Sequence, residues 1–300
     1  MVGKEQITTL SDGLRVLAPA KVNLSLLIAG KRPDGFHEIE TIMAKVNLFD
    51  EILIQPGEKP DIELLCKGPY WAPQGKQNLA YKASEMLLEN SRSQANIKIT
   101  VKKNIPAGSG LGSASSDAAA TLIALNKYLD LKLSNHRLAK LAPKLGSDVA
   151  FFLGGPLAFC TGKGEKIKKL KENFNFSALL ILPDVSVSTK KVYANYKHNP
   201  AIYQKLSTQI NSHLVKNRID LVSRMCANML ETSCFSLYKE LFDLKAKVES
   251  LGIAPLCLSG SGSAMFCIIE SFDEKKVRKN RHKLREKTGC KSVIVSNNRW

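Results

Sequence analysis

Short apolar runs separated by turn residues dominate the first third of the chain. Leu14–Leu17, Val22–Ala29, Glu51–Gln55, Asp61–Cys66 and Ile97–Val101 are brief and rich in β-branched residues or leucine, the pattern of strands. Asp12-Gly13 forms a turn dipeptide, and Gly30 to Gly35 (GKRPDG) carries the Pro-Asp-Gly chemistry of a tight connection. The period changes at Asn78–Glu89, where Leu79, Ala83, Met86 and Leu87 fall on one helical stripe. Ala118–Leu129 predicts an alanine- and leucine-rich helix, and Ser134 stands where it can cap another over Asn135–Leu141. Thr161–Asn175 is rich in glycine and lysine with little apolar periodicity, which predicts a break. Beyond it come a strand at Ala178–Leu182, several helical stretches, and a strand pair at Leu256–Leu258 and Ala264–Ile269. No internal repeat is evident. The pattern predicts two α+β domains, over residues 1–168 and 169–300.

Composition narrows the function classes. A chain that is 44% hydrophobic and 24% charged excludes wholesale disorder, collagen and coiled coils. Lysine and arginine number 44 against 27 acidic residues, and the net charge of +17 favours an anionic partner: nucleic acid, a membrane surface or a phosphorylated metabolite. The first residues, MVGKEQITTLSDGLRV, hold no apolar core of signal-peptide length. Ser177–Pro183 is far shorter than the roughly 20 residues that span a bilayer. Seven cysteines without a CxxC pair predict reduced, packed thiols, with Cys257 and Cys267 in the core and a cytoplasmic location. The basic segment Lys275–Lys291 has an apolar edge at Val277 and Leu284 and no interleaved aromatics, which predicts a surface helix rather than a nucleic-acid patch.

The most informative segment is PAGSGLGSASSD, Pro106–Asp117, between a predicted strand and a predicted helix. Gly108, Gly110 and Gly112 allow close backbone approach to a ligand. Successive N–H groups leading into a helix N-terminus make an anion site. Ser113, Ser115 and Ser116 add hydroxyls for phosphate oxygens or a metal ion. No lysine follows the last glycine, so this is not a P-loop, and the dinucleotide fingerprint is also absent.

This segment resembles the phosphate loop of the GHMP small-molecule kinase superfamily. Ala18–Leu26 (APAKVNLSL) is similar to that superfamily's N-terminal strand motif, and Leu258–Phe266 (LSGSGSAMF) to its third, glycine-rich motif. Within the superfamily, Pro19–Met43, with its PDGFHE signature, and Leu145–Gly154 (LGSDVAFFLG) resemble the family of 4-diphosphocytidyl-2-C-methyl-D-erythritol kinases. One departure is GLGSASSD, where that family more often has GLGGGSS.

The resemblance implies a ribosomal protein S5 domain 2-like N-terminal domain and a ferredoxin-like C-terminal domain. It implies ATP and Mg2+ as cofactors, a cytidine-diphosphate-linked methylerythritol as small-molecule substrate, no nucleic acid or membrane partner, and a monomer or weak homodimer. ATP would be held by Pro106, Ala107, Gly108, Ser109, Gly110, Leu111, Gly112, Ser113, Ala114, Ser115 and Ser116, with Asn78 at the base. Position alone makes Asp148 the N-cap of a short helix; the resemblance makes it the base that takes the acceptor proton. Lys21 would otherwise be an edge lysine, and the resemblance places it beside Asp148 to hold that carboxylate ionised. Asn23, two residues on, lies on the same strand face and would donate to polar groups of the substrate. Phe36, His37 and Tyr193 would enclose the cytosine, and Gly260, Ser261 and Gly262 would close over the substrate diphosphate. Metal ligands are not assigned.

Overall fold

Two long strands organise the N-terminal half of the computed structural model, which describes residues 6–297 except 60, 94, 172–173 and 270–273. After β1 (Ile7–Leu10), β2 (Gly13–Lys31) and β3 (His37–Pro56) pair antiparallel along nearly their whole length. The two strands expected around Pro19 are thus one. Proline has no N–H to give the ladder, and β2 accommodates it with a register shift between Pro19 and Ala20. The first half of β3 is an addition to the expectation; the charged residues of HEIETIMAK mask its alternation.

β4 (Ile62–Lys67) runs parallel to β5 (Ile97–Lys102), and β5 pairs with the second half of β3. Between them lies α1 (Leu79–Ser91). Then come α2 (Ser113–Tyr128), α3 (Asn135–Leu145) and α4 (Val149–Leu153). β6 (Leu157–Gly162) pairs with the first half of β3, and β7 (Lys166–Lys169) with β6, which completes a seven-stranded sheet. The predicted Ser134 cap is present, its hydroxyl accepting the Arg137 N–H. The second helix starts five residues before Ala118, so Ser113 to Ser116 form its first turn. The alanines and leucines of α2 bury against Val16, Ala18 and Ile52 of the sheet, a core in which each fully buried leucine or isoleucine contributes about 1.5–3 kcal/mol.

The second sheet is built from β8 (Ser177–Leu182), β9 (Cys257–Leu258), β10 (Met265–Ile269) and β11 (Lys291–Ser296), in the antiparallel order β11-β8-β10-β9. Its helices are α5 (Thr189–Asn195), α6 (Pro200–Val215), α7 (Ile219–Arg224), α8 (Glu231–Leu237), α9 (Lys239–Ser250) and α10 (Glu274–Thr288). α10 is the basic segment, and it buries Val277 and Leu284 as expected. The α+β class with two sheets is as the pattern predicts. Leu26 joins the halves, donating its N–H to Ala227 O and accepting that of Met229.

The cysteine expectation needs one correction. Cys226 and Cys257 form a disulfide, with Cα atoms 4.8 Å apart. Beside them Asn228 donates its amide to Leu258 O and Gly260 O, so the 226–228 segment lies against β9. Cys160 and Cys234 are buried thiols as expected. Among the described residues no helix is long and apolar enough to cross a membrane. The first five residues, part of the segment read for a leader, lie outside the described residues.

Candidate active site

A cleft of about 1000 Å3 lies between the two sheets, floored by the Pro106–Gly112 loop. Gly108, Gly110 and Gly112 all take left-handed φ, between 64° and 76°. Close approach also demands glycine here: a Cβ on Gly110 would sit 2.0 Å from Ser259 O, and one on Gly112 2.8 Å from the Phe152 ring. The loop's carbonyls are taken up from behind. Gly108 O accepts from Val187 N–H, Ser109 O from Ala264 N–H, Gly110 O from the Ser259 hydroxyl, and Leu111 O from Lys21 N–H. The loop N–H groups and the start of α2 are then the donors an anion would take.

One buried carboxylate ties the two ends of this loop together. Asp50 Oδ1 accepts the N–H groups of Asn104 and Ile105 at 2.5 and 2.9 Å, before the loop. Its Oδ2 accepts from the Ser113 hydroxyl at 2.8 Å, after the loop, and from the Lys103 ammonium. Lys103, buried, also donates to Asp117 Oδ2 at 2.6 Å and to Ser113 Oγ. Burial works to lower the Lys103 pKa, but the Asp117 and Asp50 carboxylates outweigh it and hold the ammonium above its ordinary range. Burial pushes the Asp117 carboxyl up to about 8, with the Lys103 ammonium opposing the rise. This cluster is absent from the sequence-based site. Its members lie 53 and 14 residues apart in the chain, and Lys103 in VKKN reads as a surface lysine.

The serines divide accordingly. Ser113 lines the cleft but gives its hydroxyl to Asp50. Ser116 is buried with an unpartnered hydroxyl and does not line the cleft. Ser115, with Ala114, lines it, and its Oγ lies beside Gly146. Pro106 and Ala107 also line the cleft, whereas the Leu111 side chain belongs to the core. Asn78 lines it too, but its Oδ1 caps α1 through the Ala80 N–H and its Nδ2 donates to Pro73 O, both at 2.8 Å. Trp71, 75% exposed, stands on that side of the cleft.

Lys21 and Asp148 meet as the resemblance implies, Nζ to Oδ2 at 3.8 Å. The Asp148 side chain is 32% exposed and that of Lys21 5%. Asp148 occupies the N-cap position of α4 but makes no capping bond, so the side chain is left for the cleft. Burial lowers the Lys21 pKa, opposed by Asp148. Asn23 shares the Lys21 face: its Oδ1 accepts from Lys21, and its Nδ2 donates to Thr41 Oγ1 at 2.8 Å. The amide thus orients Lys21 as well as lining the cleft, a change from the pure substrate donor expected.

At the far end Phe36, half exposed, lies under the Lys163 ammonium, 4.5 Å from its ring centroid. The ring against Tyr193 is that of His37, at 5.3 Å, with Tyr196 edge-on to His37 at 5.8 Å. Tyr196 and Lys163 had no signal in the sequence. Burial lowers the His37 pKa, helped by Lys31 and His198. In the β9–β10 connection Gly260 and Ser261 line the cleft, the Ser261 hydroxyl 2.8 Å from that of Thr189. Gly262 does not line it; it faces Cys234, Leu258 and Val187.

A second lysine backs the site from the next strand. Lys45 of β3 is the direct register partner of Lys21. Both sit in the same pentapeptide, Ala-Lys-Val-Asn-Leu, at 20–24 and 44–48. That short repeat is the signal that would have found Lys45. Among the described residues no group of three His, Cys, Asp or Glu side chains is arranged to hold a metal ion.

The comparisons bear on the whole chain. The GHMP kinases N terminal domain model matches residues 78–156, and the GHMP kinases C terminal model residues 210–286. A 4-diphosphocytidyl-2-C-methyl-D-erythritol kinase of Bacillus cereus is 38% identical over 85% of this chain and 88% of its own. One of Bacillus anthracis is equally similar. A crystal structure of 4-(cytidine 5'-diphospho)-2C-methyl-D-erythritol kinase superposes with a TM-score of 0.72 at 31% identity, over 95% of this chain and 100% of that one. Homoserine kinase from Cytophaga hutchinsonii, at 21% identity and a TM-score of 0.73 over 99% and 98%, shares the fold. With both halves matched and identity at this level over most of its length, the chain belongs to the 4-diphosphocytidyl-2-C-methyl-D-erythritol kinase family of the GHMP small-molecule kinases.

Proposed function

We propose that the protein transfers the γ-phosphoryl group of ATP to the 2-hydroxyl of 4-diphosphocytidyl-2-C-methyl-D-erythritol, in the non-mevalonate route to isoprenoid precursors. The observation that carries this is the Lys21–Asp148 pair, open to the same cleft as the glycine-rich loop. The acceptor oxygen forms its bond to the γ-phosphorus as the bridging bond to ADP breaks, and the hydroxyl proton passes to Asp148. Lys21 keeps the carboxylate ionised and favours the developing alkoxide. Phe36, His37 and Tyr193 form the cytosine end, and Gly260 with Ser261 the wall against the diphosphate. We divide these roles between a nucleotide-binding unit over residues 1–168 and a substrate-side unit over 169–300.

Mg2+ suits the site as an ion carried in on the nucleotide, since it keeps several waters and takes few protein oxygens. Ser115 and Asp148, both lining the cleft, would hold it, and it would supply neutralisation of phosphate charge. We assign the protein to the cytoplasm, with a small molecule rather than nucleic acid as its partner.

The test is ADP release with Mg-ATP and the cytidine diphosphate substrate, run beside Asp148→Asn. Release cut by the substitution to a slow residual rate supports substrate and base together. Release at the wild-type rate in the variant overturns the base. Release with homoserine or mevalonate, and none with the cytidine compound, overturns the substrate.

A further inference from the structure

Helix α4 carries Asp148 at its start and consists of only five residues, Val149–Leu153. A helix so short has almost no internal hydrogen bonds, so its carbonyls must find donors elsewhere. Lys45 provides them. Its Nζ donates to Phe152 O at 3.0 Å and to Gly154 O at 2.8 Å, and its backbone N–H donates to Pro156 O at 2.8 Å. The side chain is 1% exposed, lies beneath the Phe151 ring, and is not part of the cleft wall.

The cross-strand register gives this contact its meaning. Lys21 and Lys45 face each other on β2 and β3 and project to the same side of the sheet. Lys21 meets α4 at its first end, through Asp148; Lys45 meets it at its last, through two carbonyls. The closed circuit runs from β3 through Lys45 and α4 to Asp148, then through Lys21 back along β2. The Phe152 ring packs where a Cβ on Gly112 would stand, so α4 also touches the phosphate loop. A cation at a helix C-terminus complements the dipole. Among the described residues no acidic group offsets the burial of this ammonium, however, and an apolar side chain of equal length would fill the slot without that cost.

We propose that Lys45 is a positioning residue for phosphoryl transfer, fixing α4 so that the Asp148 carboxylate is held against Lys21 and the acceptor hydroxyl. The proposal rests on Asp148 acting on that hydroxyl. It assigns Lys45 no contact with either substrate.

The test is a double-mutant cycle with Lys45→Met and Asp148→Asn in the full chain, read as kcat and KM with Mg-ATP and the cytidine diphosphate substrate. Misplacement of a reacting group costs rate without costing ground-state binding, so Lys45→Met should lower kcat about tenfold to hundredfold and leave both KM values within about twofold. In the Asp148→Asn background the same substitution should cost nothing further, because its route runs through that carboxylate. A folded Lys45→Met enzyme with wild-type kcat overturns the proposal. So does an equal loss in the Asp148→Asn background, or a parallel rise of both KM values with kcat restored on cooling. Should Lys45→Met fail to fold, Lys45→Gln, which keeps a shorter donor in the slot, should give a smaller loss of kcat with KM values again within about twofold, and wild-type kcat in a folded Lys45→Leu enzyme overturns the proposal. Full turnover by Asp148→Asn alone overturns the base assignment, and the Lys45 proposal falls with it.

Discussion

Lys21 reaches Asp148 from a strand interior, the ammonium buried and the carboxylate open to the cleft, 3.8 Å apart. Burial penalises the charged lysine, and the neighbouring carboxylate opposes that penalty only in part. Lys21 therefore loses its proton below the ordinary lysine value of 10.5. In the proposed mechanism the protonated form is the active one, so activity should fall as pH rises through this lowered pKa. A profile of kcat against pH should show an alkaline limb below that of a free lysine. Lys21→Arg, whose guanidinium stays charged, should shift the limb upward even where it lowers the maximum. An alkaline limb at the same pH in both enzymes would assign it to another group.

Phe36 offers half of its ring to the cleft, with Lys163 over it. Stacking on a base is worth about 1–3 kcal/mol, so Phe36→Ala should raise KM for the cytidine substrate by about fivefold to a hundredfold. KM for ATP should hold. Steady-state kinetics with each substrate varied in turn separates the two, and an equal rise in both would move Phe36 out of the cytidine site.

Asp50 joins the entry and the exit of the phosphate loop. Asp50→Asn keeps an oxygen for the Asn104 and Ile105 N–H groups but leaves Lys103 one carboxylate, that of Asp117, where it had two. Breaking a buried ion pair costs about 3–5 kcal/mol, which should appear in denaturant unfolding. ADP affinity by calorimetry should fall as well. Lost stability with unchanged ADP affinity would confine the cluster to a structural role.

Gly110→Ala tests the loop's approach to the C-terminal half. The residue holds φ +76°, and its new Cβ would lie 2.0 Å from a backbone oxygen, which cannot swing away as a side chain can. Left-handed backbone alone costs a non-glycine residue about 1–2 kcal/mol, and the clash adds to it. Gly35 also has positive φ but open space around its Cβ position, so Gly35→Ala should cost only the backbone part. Comparing the two unfolding midpoints isolates the clash.

Lys45 has its own pH signature. Burial lowers its pKa from 10.5 to about 8. Between those values the unfolded chain holds the proton and the folded one does not, so stability gained from this group rises with pH; below about 8 both forms hold it and the burial penalty is fully felt. The difference in unfolding free energy between wild type and Lys45→Met should therefore shift in favour of wild type above pH 8, by up to about 1.4 kcal/mol per pH unit. A pH-independent difference would mean that Lys45 does not titrate in that range.

What could be read in the chain, and what could not, follows from distance along it. The loop, the Lys21 strand, the Ser134 cap and α1 announce themselves through local spacing and turn chemistry. The Asp148 position is legible only through resemblance, because a free N-cap carboxylate and a catalytic one share the same neighbours. Ser113 gives its hydroxyl to Asp50, which arrives beside it from 63 residues away. No window of sequence holds both. Lys45 was hidden differently: its pentapeptide duplicates that of Lys21, yet pairing in register becomes visible only when the two strands are laid together. The Cys226–Cys257 bond likewise joins residues 31 apart in the chain.

The hydrogen bonds between the phosphate loop and the 258–264 segment carry an evolutionary and engineering consequence. Ser109 and Gly110 give their carbonyls to Ala264 and Ser259, and Gly108 gives its own to Val187. A chimera that joined the first half of this chain to the second half of a homoserine or mevalonate kinase would transplant an acceptor pocket. It would also replace the scaffolding under its own nucleotide loop. Productive crossovers should be those that move Val187 and the 258–264 turn together with the loop they support, and libraries that vary the turn alone should lose ATP before they gain a new acceptor.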